Sequence, residues 1–197
     1  PWLAFDMGAI ENDPAATPEG TLAIKQMLAD TARQIMDRIS ASNWRSVIYQ
    51  AAMHAITIGD VMVYQTDDIM FQAYRLDQYV VRRNLDGSLH SMILREWVDL
   101  DTIPDALKNI KGPANPAGGP KNCEPLFCEM THDRKNKRWN IRKEFRGQIV
   151  EGGPGDEKYY EVMPYNVIRW EDMTGENYAR SLVEHNIGEI RSIESLA

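Results

Sequence analysis

The spacing of the apolar residues changes along the chain, and this change constrains the fold more than any other feature. Residues 18–41 and 44–58 have apolar side chains at i, i+3 and i+4 spacing, which predicts two amphipathic helices. From Val61 to Glu171 the pattern is that of short strands separated by turn residues. A helical pattern returns near Glu176. The order helix, helix, strands, helix predicts an α+β fold whose consecutive hairpins form a mostly antiparallel sheet.

The ends of the first two helices have clear capping signals. Thr17 can cap the first helix, and Pro18 suits the first helical position. Ser42-Asn43 separates the helices and supplies an N-cap, and Gly59 ends the second helix. We expect the apolar stripe of the first helix to comprise Ile24, Met27, Leu28, Thr31, Ile35, Met36 and Ile39, and that of the second to comprise Trp44, Val47, Ile48, Ala51, Ala52, Ala55 and Ile58.

The middle of the chain divides into predicted strands and turns. Gly87 ends a hairpin loop that requires a positive φ, and a short helix is predicted to begin at Thr102. Residues 111–122, rich in Pro and Gly, predict a flexible loop without core residues. The predicted strands are 61–65, 69–76, 79–83, 88–98, 126–131, 138–145, 159–163 and 167–171. The last helix is predicted to start near Glu176, with a stripe of Ala179, Leu182, Val183, Ile187, Ile190, Ile193 and Leu196.

Composition excludes some classes of protein. A chain of 197 residues suits one domain, and no apolar run approaches the roughly 20 residues that span a bilayer, so we expect no membrane partner. The opening Pro1-Trp2-Leu3 lacks the basic region of a signal peptide. Both ends have the character of cut sites, so we expect a segment of a longer polypeptide. The net charge of −7 disfavours tight non-specific DNA binding but allows a protein to encircle DNA.

No arrangement of residues predicts catalysis or a bound cofactor. The zinc-protease, phosphate-loop and nucleophile-elbow motifs do not occur, and Gly152-Gly153-Pro154-Gly155 lacks the Lys-Ser or Lys-Thr that follows a phosphate loop. Cys123, Cys128 and His132 lack the fourth ligand of a structural zinc site, so two reduced thiols are expected. We therefore predict a non-enzymatic protein without a metal site. A metal-dependent hydrolase using clustered carboxylates is a further alternative, with the candidates Asp67-Asp68, Asp99 with Asp101, and Glu171-Asp172.

One basic hairpin points to nucleic acid. Between residues 134 and 146 basic side chains are interleaved with Trp139 and Phe145, an arrangement suited to phosphate contacts and base stacking. The same pattern is typical of a solvated hairpin whose charges prevent edge-to-edge aggregation. A nucleic-acid-binding module is therefore the alternative function. Its basic residues are Arg134, Lys135, Lys137, Arg138, Arg142, Lys143 and Arg146, and the candidate contacts are Arg134, Lys135, Lys137 and Arg138.

Two further motifs, in their order and spacing, resemble the portal, or head-to-tail connector, proteins of short-tailed phages. The first motif is Tyr-Arg-Leu-x-x-Tyr-Val-Val-x-Arg followed by a turn glycine, and the second is Gly-Glu-x-Tyr-x-Arg-Ser before a helix. The matching residues are Tyr74, Arg75, Leu76, Tyr79, Val80, Val81, Arg83 and Gly87, then Gly175, Glu176, Tyr178, Arg180 and Ser181, with Gly188, Arg191 and Ser192 further on. Pro1-Trp2-Leu3, Ser42-Asn43 and Gly59 extend the resemblance over nearly all of residues 1–197.

The resemblance implies a structural subunit of a homo-oligomeric ring, usually a dodecamer, at one vertex of the virion capsid. Such a ring contacts the capsid protein, the packaging motor (terminase) and tail adaptor proteins, and double-stranded DNA passes through it during packaging and ejection. Assembly would take place in the host cytoplasm. Residues 1–197 would form a single wing-like region, whereas the channel-lining segments come later in such chains. Tyr178, Arg180 and Ser181 would position the helix that leads toward the stem.

Overall fold

Two helices precede two antiparallel sheets in the computed structural model, which describes residues 5–6, 8, 17–66, 68–112 and 120–195. Helix α1 spans Pro18–Ala41 and helix α2 spans Trp44–Ile58, so both helix predictions are confirmed. The Thr17 hydroxyl accepts a hydrogen bond from the Gly20 amide at 3.2 Å, and Gly59 ends α2 with a φ of 99°. Pro1-Trp2-Leu3, Asp67, residues 113–119 of the predicted loop, and Leu196 lie outside the described residues.

The junction between the two helices is fixed by one side chain. The Asn43 amide nitrogen donates to the Phe71 carbonyl at 2.7 Å, and its oxygen accepts from the Phe71 amide at 2.8 Å. The rings of Trp44 and Phe71 also meet edge to face, with their centroids 4.7 Å apart. Asn43 therefore attaches the start of α2 to the backbone of a strand.

The smaller sheet has three strands in the order β2-β1-β9. They are β1 (Asp60–Gln65), β2 (Phe71–Tyr74) and β9 (Tyr165–Arg169). Side chains of β1 alternate between two cores. Val61 and Val63 pack against Val47, Ala51 and Ala55 of α2, whereas Met62 packs in the core of the larger sheet. The smaller sheet is thus the middle layer between α2 and the larger sheet.

The larger sheet has six strands, of which five follow the order β3-β4-β5-β6-β7 while β8 pairs with β6. Its core is formed by side chains that include Met92, Leu94, Cys128 and Met130, none of which is more than 2% exposed. The strands are β3 (Tyr79–Arg83), β4 (Leu89–Asp99), β5 (Cys123–Asp133), β6 (Arg138–Phe145), β7 (Gln148–Glu151) and β8 (Lys158–Tyr160). The predicted α+β class with antiparallel hairpins is confirmed.

The predicted strand 69–76 is shorter in the structure, because Leu76–Gln78 forms a 3-10 turn between β2 and β3. The short helix predicted near Thr102 is helix α3, Asp105–Lys108. Leu107 of this helix packs with Ile103 and Phe145 at one end of the larger sheet. None of the described helices is both long and apolar enough to cross a membrane.

The prediction that the last helix starts near Glu176 is wrong. Helix α4 begins at Leu182 and ends at His185, and after Asn186 helix α5 spans Ile187–Glu194. The backbone before Ser181 is engaged elsewhere, since the Ala179 amide donates to Asp60 and the Arg180 amide donates to the Glu171 carbonyl at 3.2 Å. Helical hydrogen bonds can begin only beyond these contacts. Ala179 is therefore buried outside the helix rather than at the head of an uninterrupted stripe.

Much of the predicted apolar stripe on the helices is exposed. In α1, Ala32 is the one buried residue among those the structure describes, and Met27 is 61% exposed. The prediction that Met27 faces a core is therefore wrong, because α1 contacts the rest of the described chain only sparsely. The other exposed side chains of the predicted stripes are Thr31 and Ile35 of α1, Ala52 and Ile58 of α2, and Leu182, Val183, Ile187, Ile190 and Ile193 of α4 and α5.

Candidate functional site

The two motifs singled out in the sequence meet where the two sheets adjoin. We call this place the sheet junction and define it by Asp60, Tyr79, Arg83, Arg169 and the segment Asn177–Ser181. Tyr178 Oη accepts a hydrogen bond from the Val81 amide at 3.2 Å, and Asn177 Oδ1 accepts one from the Arg83 amide at 2.8 Å. These amides alternate along β3 and lie on the edge that β4 does not pair. The segment therefore satisfies the free edge of β3 with side chains, as natural sheets protect their edges.

Arg83 connects this segment to the β3–β4 hairpin. Its Nε donates to the Asn177 carbonyl at 3.2 Å, and its Nη1 donates to the Gly87 carbonyl at 3.0 Å. Gly87 has a φ of 80°, as predicted for its turn. Burial and the positive charge of Arg169 lower the pKa of Arg83 below its ordinary value. The guanidinium remains charged, since the ordinary pKa of arginine is very high. Through its two hydrogen bonds it links β3 to the Asn177 backbone and to the hairpin loop.

Asp60 anchors the same segment from the smaller sheet. Its side chain is fully buried, and its Oδ2 accepts a hydrogen bond from the Ala179 amide at 2.5 Å. Burial raises the pKa of the Asp60 carboxyl above its ordinary value, while the Ala179 amide and then the charges of Arg169 and Arg83 oppose that rise. Next to it, a Cβ on Gly59 would lie 2.5 Å from the Ala179 carbonyl oxygen. Glycine is required here because the two backbones touch.

The first motif continues into the connection between β2 and β3. Tyr74, only 2% exposed, donates its hydroxyl to Glu96 Oε1 at 2.5 Å and so ties β2 to β4. Arg75 forms a two-point ion pair with Asp77 at 3.1 and 3.0 Å. Both partners are more than half exposed, so this pair adds little stability. Leu76 begins the 3-10 turn and packs against the core of the larger sheet.

The second motif ends at the start of α4. Ser181, which is buried, accepts a hydrogen bond on its hydroxyl from the Glu184 amide at 2.9 Å and so caps the helix. Arg180 pairs with Glu176 at 3.1 Å on the surface. Gly175 has a φ of 85° and would meet no atom within 4 Å of an added Cβ. Ser181 is thus buried within the junction, whereas the Arg180 side chain pairs at its surface and Gly175 lies outside it.

The cysteines do not form a reactive or metal-binding group with His132. Cys123 and Cys128 lie at positions of opposite parity on β5 and hence on opposite faces of the sheet. Burial raises the pKa of the Cys128 thiol to about 12, which keeps it protonated and unreactive. Within the described parts of the chain, no three His, Cys, Asp or Glu side chains are grouped so that they could hold a metal ion.

The basic hairpin is largely neutralised by neighbouring carboxylates. Arg142 pairs with Glu129 at 2.5 Å, Lys143 with Glu151 at 2.7 Å, and Arg138 lies 3.6 Å from Glu157. Arg146 forms a two-point pair with Glu124 at 2.6 and 2.8 Å, and also donates to the Ile110 carbonyl. Buried and exposed faces alternate along β6, since Ile141 and Phe145 are buried while Asn140 and Arg142 are exposed. Nothing in this arrangement favours the nucleic-acid alternative.

Three of its basic residues remain at the exposed tip. Arg134, Lys135 and Lys137 lie in the turn between β5 and β6. The turn itself is held by Asp133, whose Oδ1 accepts from the Lys135 amide at 3.0 Å and from the Asn136 amide at 3.3 Å. The tip residues are thus part of a hydrogen-bonded, exposed turn.

Two central residues of the junction, Asp60 and Asn177, were not predicted from the sequence. Asp60 had one usable signal, because an acidic residue directly after a helix-ending glycine opens an otherwise apolar strand. Such a carboxylate, buried with the strand, requires a hydrogen-bond donor. Asn177 had no comparable signal.

Comparison with known proteins agrees with the resemblance. A model of the family described as bacteriophage head to tail connecting protein matches residues 1–197. The portal protein of Escherichia phage T7 is 27% identical over 205 residues, covering 99% of this chain and 37% of that protein. The portal protein of Enterobacteria phage T3 is 25% identical over 204 residues, with the same coverage of 99% and 37%. The chain thus spans little more than a third of the length of the curated relatives that it matches.

Proposed function

Because the chain belongs to the family of bacteriophage head-to-tail connecting proteins, we propose that residues 1–197 form a wing-like region of a portal subunit. The observation that carries this proposal is the match of the family model to every residue of the chain. Two relatives named portal proteins, aligned over 99% of this chain, support it. The role is structural, and the protein holds other components in place rather than catalysing a reaction.

The subunit assembles with copies of itself into a closed ring, which we propose to be a dodecamer. A ring requires two different patches on each subunit, each matching the other on the next copy. The exposed apolar side chains of α1, α4 and α5 support such contacts, since isolated soluble subunits rarely leave extended apolar surface in water. Ile187, Ile190 and Ile193, between 46% and 69% exposed, form one such surface on α5.

The ring lies at one vertex of the virion capsid after assembly in the host cytoplasm. There it contacts the capsid protein, the packaging motor during filling and the tail adaptor proteins afterwards. Double-stranded DNA passes through the ring in packaging and ejection. The net charge of −7 and the neutralised basic hairpin support passage without adhesion, because phosphate binding depends on unpaired Lys and Arg.

The motif residues of the sheet junction give the wing its internal geometry. Hydrogen bonds of Tyr74, Arg83 and Tyr178 hold the two sheets and the outgoing segment together, and Tyr79 packs in the core beside them. Ser181 sets where α4 begins. Arg180 contributes through its backbone amide and its surface pair with Glu176. These residues would position the helices that lead toward the rest of the subunit.

Electron microscopy of the purified full-length protein tests this function. We expect rings with rotational symmetry and a central hole. The variant Ile190→Asp places a charge on the exposed apolar surface of α5 and should shift rings toward smaller species. Glu189→Gln, on the same helix, changes a charge without adding one to that surface and serves as the matched control. A full-length protein that stays monomeric under assembly conditions would contradict the proposal.

A further inference from the structure

Three buried polar atoms at the sheet junction have no hydrogen-bond partner among the described residues: Asp60 Oδ1, Tyr79 Oη and Arg169 Nε. Asp60 is 0% exposed, Tyr79 is 3% exposed, and the Arg169 side chain is 8% exposed. Buried polar groups are almost always hydrogen-bonded, because leaving one unpaired carries a large desolvation cost. Three such atoms in one region therefore call for a common explanation.

The topology brings these three side chains to one place. Asp60 and Arg169 are directly opposite each other in the β1–β9 pair, so their side chains lie on the same face of the smaller sheet. Met62 and Val167, two residues further along those strands and on that same face, pack in the core cluster that contains Tyr79. The pKa of the Tyr79 hydroxyl is raised, first by burial and then by the negative charge of Asp60, which agrees with this proximity.

The two charged side chains do not satisfy each other directly. Arg169 directs Nη1 to Asp172 and Nη2 to the Glu176 carbonyl at 3.5 Å. Asp60 uses its other oxygen, Oδ2, for the Ala179 amide. Asp60 and Arg169 form no ion pair within 4.0 Å, so their closest charged atoms are further apart than a direct contact allows. Buried polar groups that lie near each other without direct contact are a common setting for a bridging water.

We propose that one buried water molecule binds between Asp60 Oδ1, Arg169 Nε and Tyr79 Oη. The water accepts a hydrogen bond from the Arg169 N–H, donates one to the Asp60 carboxylate, and forms the third with the Tyr79 hydroxyl. Three partners are the typical number for a buried water. Each donor of the site thus meets an acceptor, and no proton has to move between the three groups.

The charges of the junction select a neutral ligand. Asp60 and Asp172 provide two negative charges, and Arg83 and Arg169 provide two positive charges that act on the same site. A bound cation or anion would add an unbalanced charge in a buried place, which is costly. Water satisfies all three atoms without this cost. The site thereby connects both sheets behind the segment that leads to α4.

The test is a structure of the intact full-length protein, by electron cryo-microscopy, at a resolution that shows ordered waters. We expect a single density peak about 2.7–3.2 Å from each of the three atoms. Absence of the peak in well-ordered surroundings, or a direct ion pair between Asp60 and Arg169, would overturn the proposal. The result does not depend on the ring number or on the connector function.

Hydrogen exchange in the same intact protein tests the part played by Tyr79. The variant Tyr79→Phe removes one partner of the water and should accelerate exchange of the Ala179 amide, which donates to Asp60, by about fivefold. The control Tyr159→Phe removes a hydroxyl from a tyrosine that is 50% exposed and should leave that amide unchanged. Equal exchange of the Ala179 amide in Tyr79→Phe and wild type would exclude Tyr79 as a ligand of the water.

Discussion

Replacing Gly59 by alanine should destabilise the protein more than replacing a glycine that has a positive φ but no close neighbours. Gly59 has a φ of 99°, which costs an alanine roughly 1–2 kcal/mol. The new Cβ would also lie 2.5 Å from the Ala179 carbonyl oxygen, so that backbone must move. The movement breaks the buried hydrogen bond from the Ala179 amide to Asp60, worth about 1.5–3 kcal/mol because the acceptor is charged. We therefore expect a total loss of about 4 kcal/mol.

The variant Gly175→Ala is the matched control for this experiment. Gly175 also has a positive φ, 85°, but an added Cβ would have no atom within 4 Å. Only the conformational cost of about 1–2 kcal/mol applies there. Thermal unfolding followed by circular dichroism should show a fall in Tm of about 12 °C for Gly59→Ala and about 4 °C for Gly175→Ala. Equal falls in Tm would refute the claim that close backbone contact with Ala179 determines the effect.

Three other predictions concern the core, the edge of β3 and pH. Leu94→Ala, at a fully buried position, should lower the unfolding free energy by about 2–5 kcal/mol in urea denaturation, whereas Val80→Ala, 54% exposed, should change it by less than about 0.5 kcal/mol. Tyr178→Phe should cost about 1 kcal/mol and accelerate hydrogen exchange of the Val81 amide, so unchanged exchange would count against the edge contact. Burial raises the pKa of the Asp60 carboxyl in the folded protein above 3.8, its ordinary value. The folded state therefore gains stability from the protonated carboxyl below pH 3.8, and this gain is lost as the pH rises through the pKa of Asp60 in the folded protein. Urea denaturation across this range should therefore show wild type losing stability relative to Asp60→Asn, and parallel curves would contradict it.

The helices α1 and α2 were predictable because their limits depend on nearby residues. Thr17, Pro18 and Gly59 act within one turn of the residues that they cap, so the sequence pattern contains the whole interaction. The start of α4 was not predictable in this way. It depends on the hydrogen bond from the Ala179 amide to Asp60, two residues 119 positions apart. Local periodicity cannot report such a contact.

The candidate site was also predictable only in part: its residues could be named, but their contacts could not. The motif residues Tyr79, Arg83 and Tyr178 came from the family resemblance, and the structure brings them together at the sheet junction. Their contacts, however, require the pairing of β1 with β9, strands that are far apart in the chain. Exposure of the α1 stripe was also beyond the sequence, since an amphipathic pattern indicates a buried face without indicating which surface covers it.

The attachment of α1 has a mechanical consequence. With 24 residues, the helix is a rod about 36 Å long, and it joins the body of the molecule beside Asn43. A rotation of about 10° at this pivot would displace the far end by about 6 Å, which is more than the rise of one helical turn. Two hydrogen bonds between Asn43 and Phe71 thus govern where the side chains near Leu22 lie in space. A small change at the Asn43 side chain thus becomes a large displacement at the N-terminal end of α1.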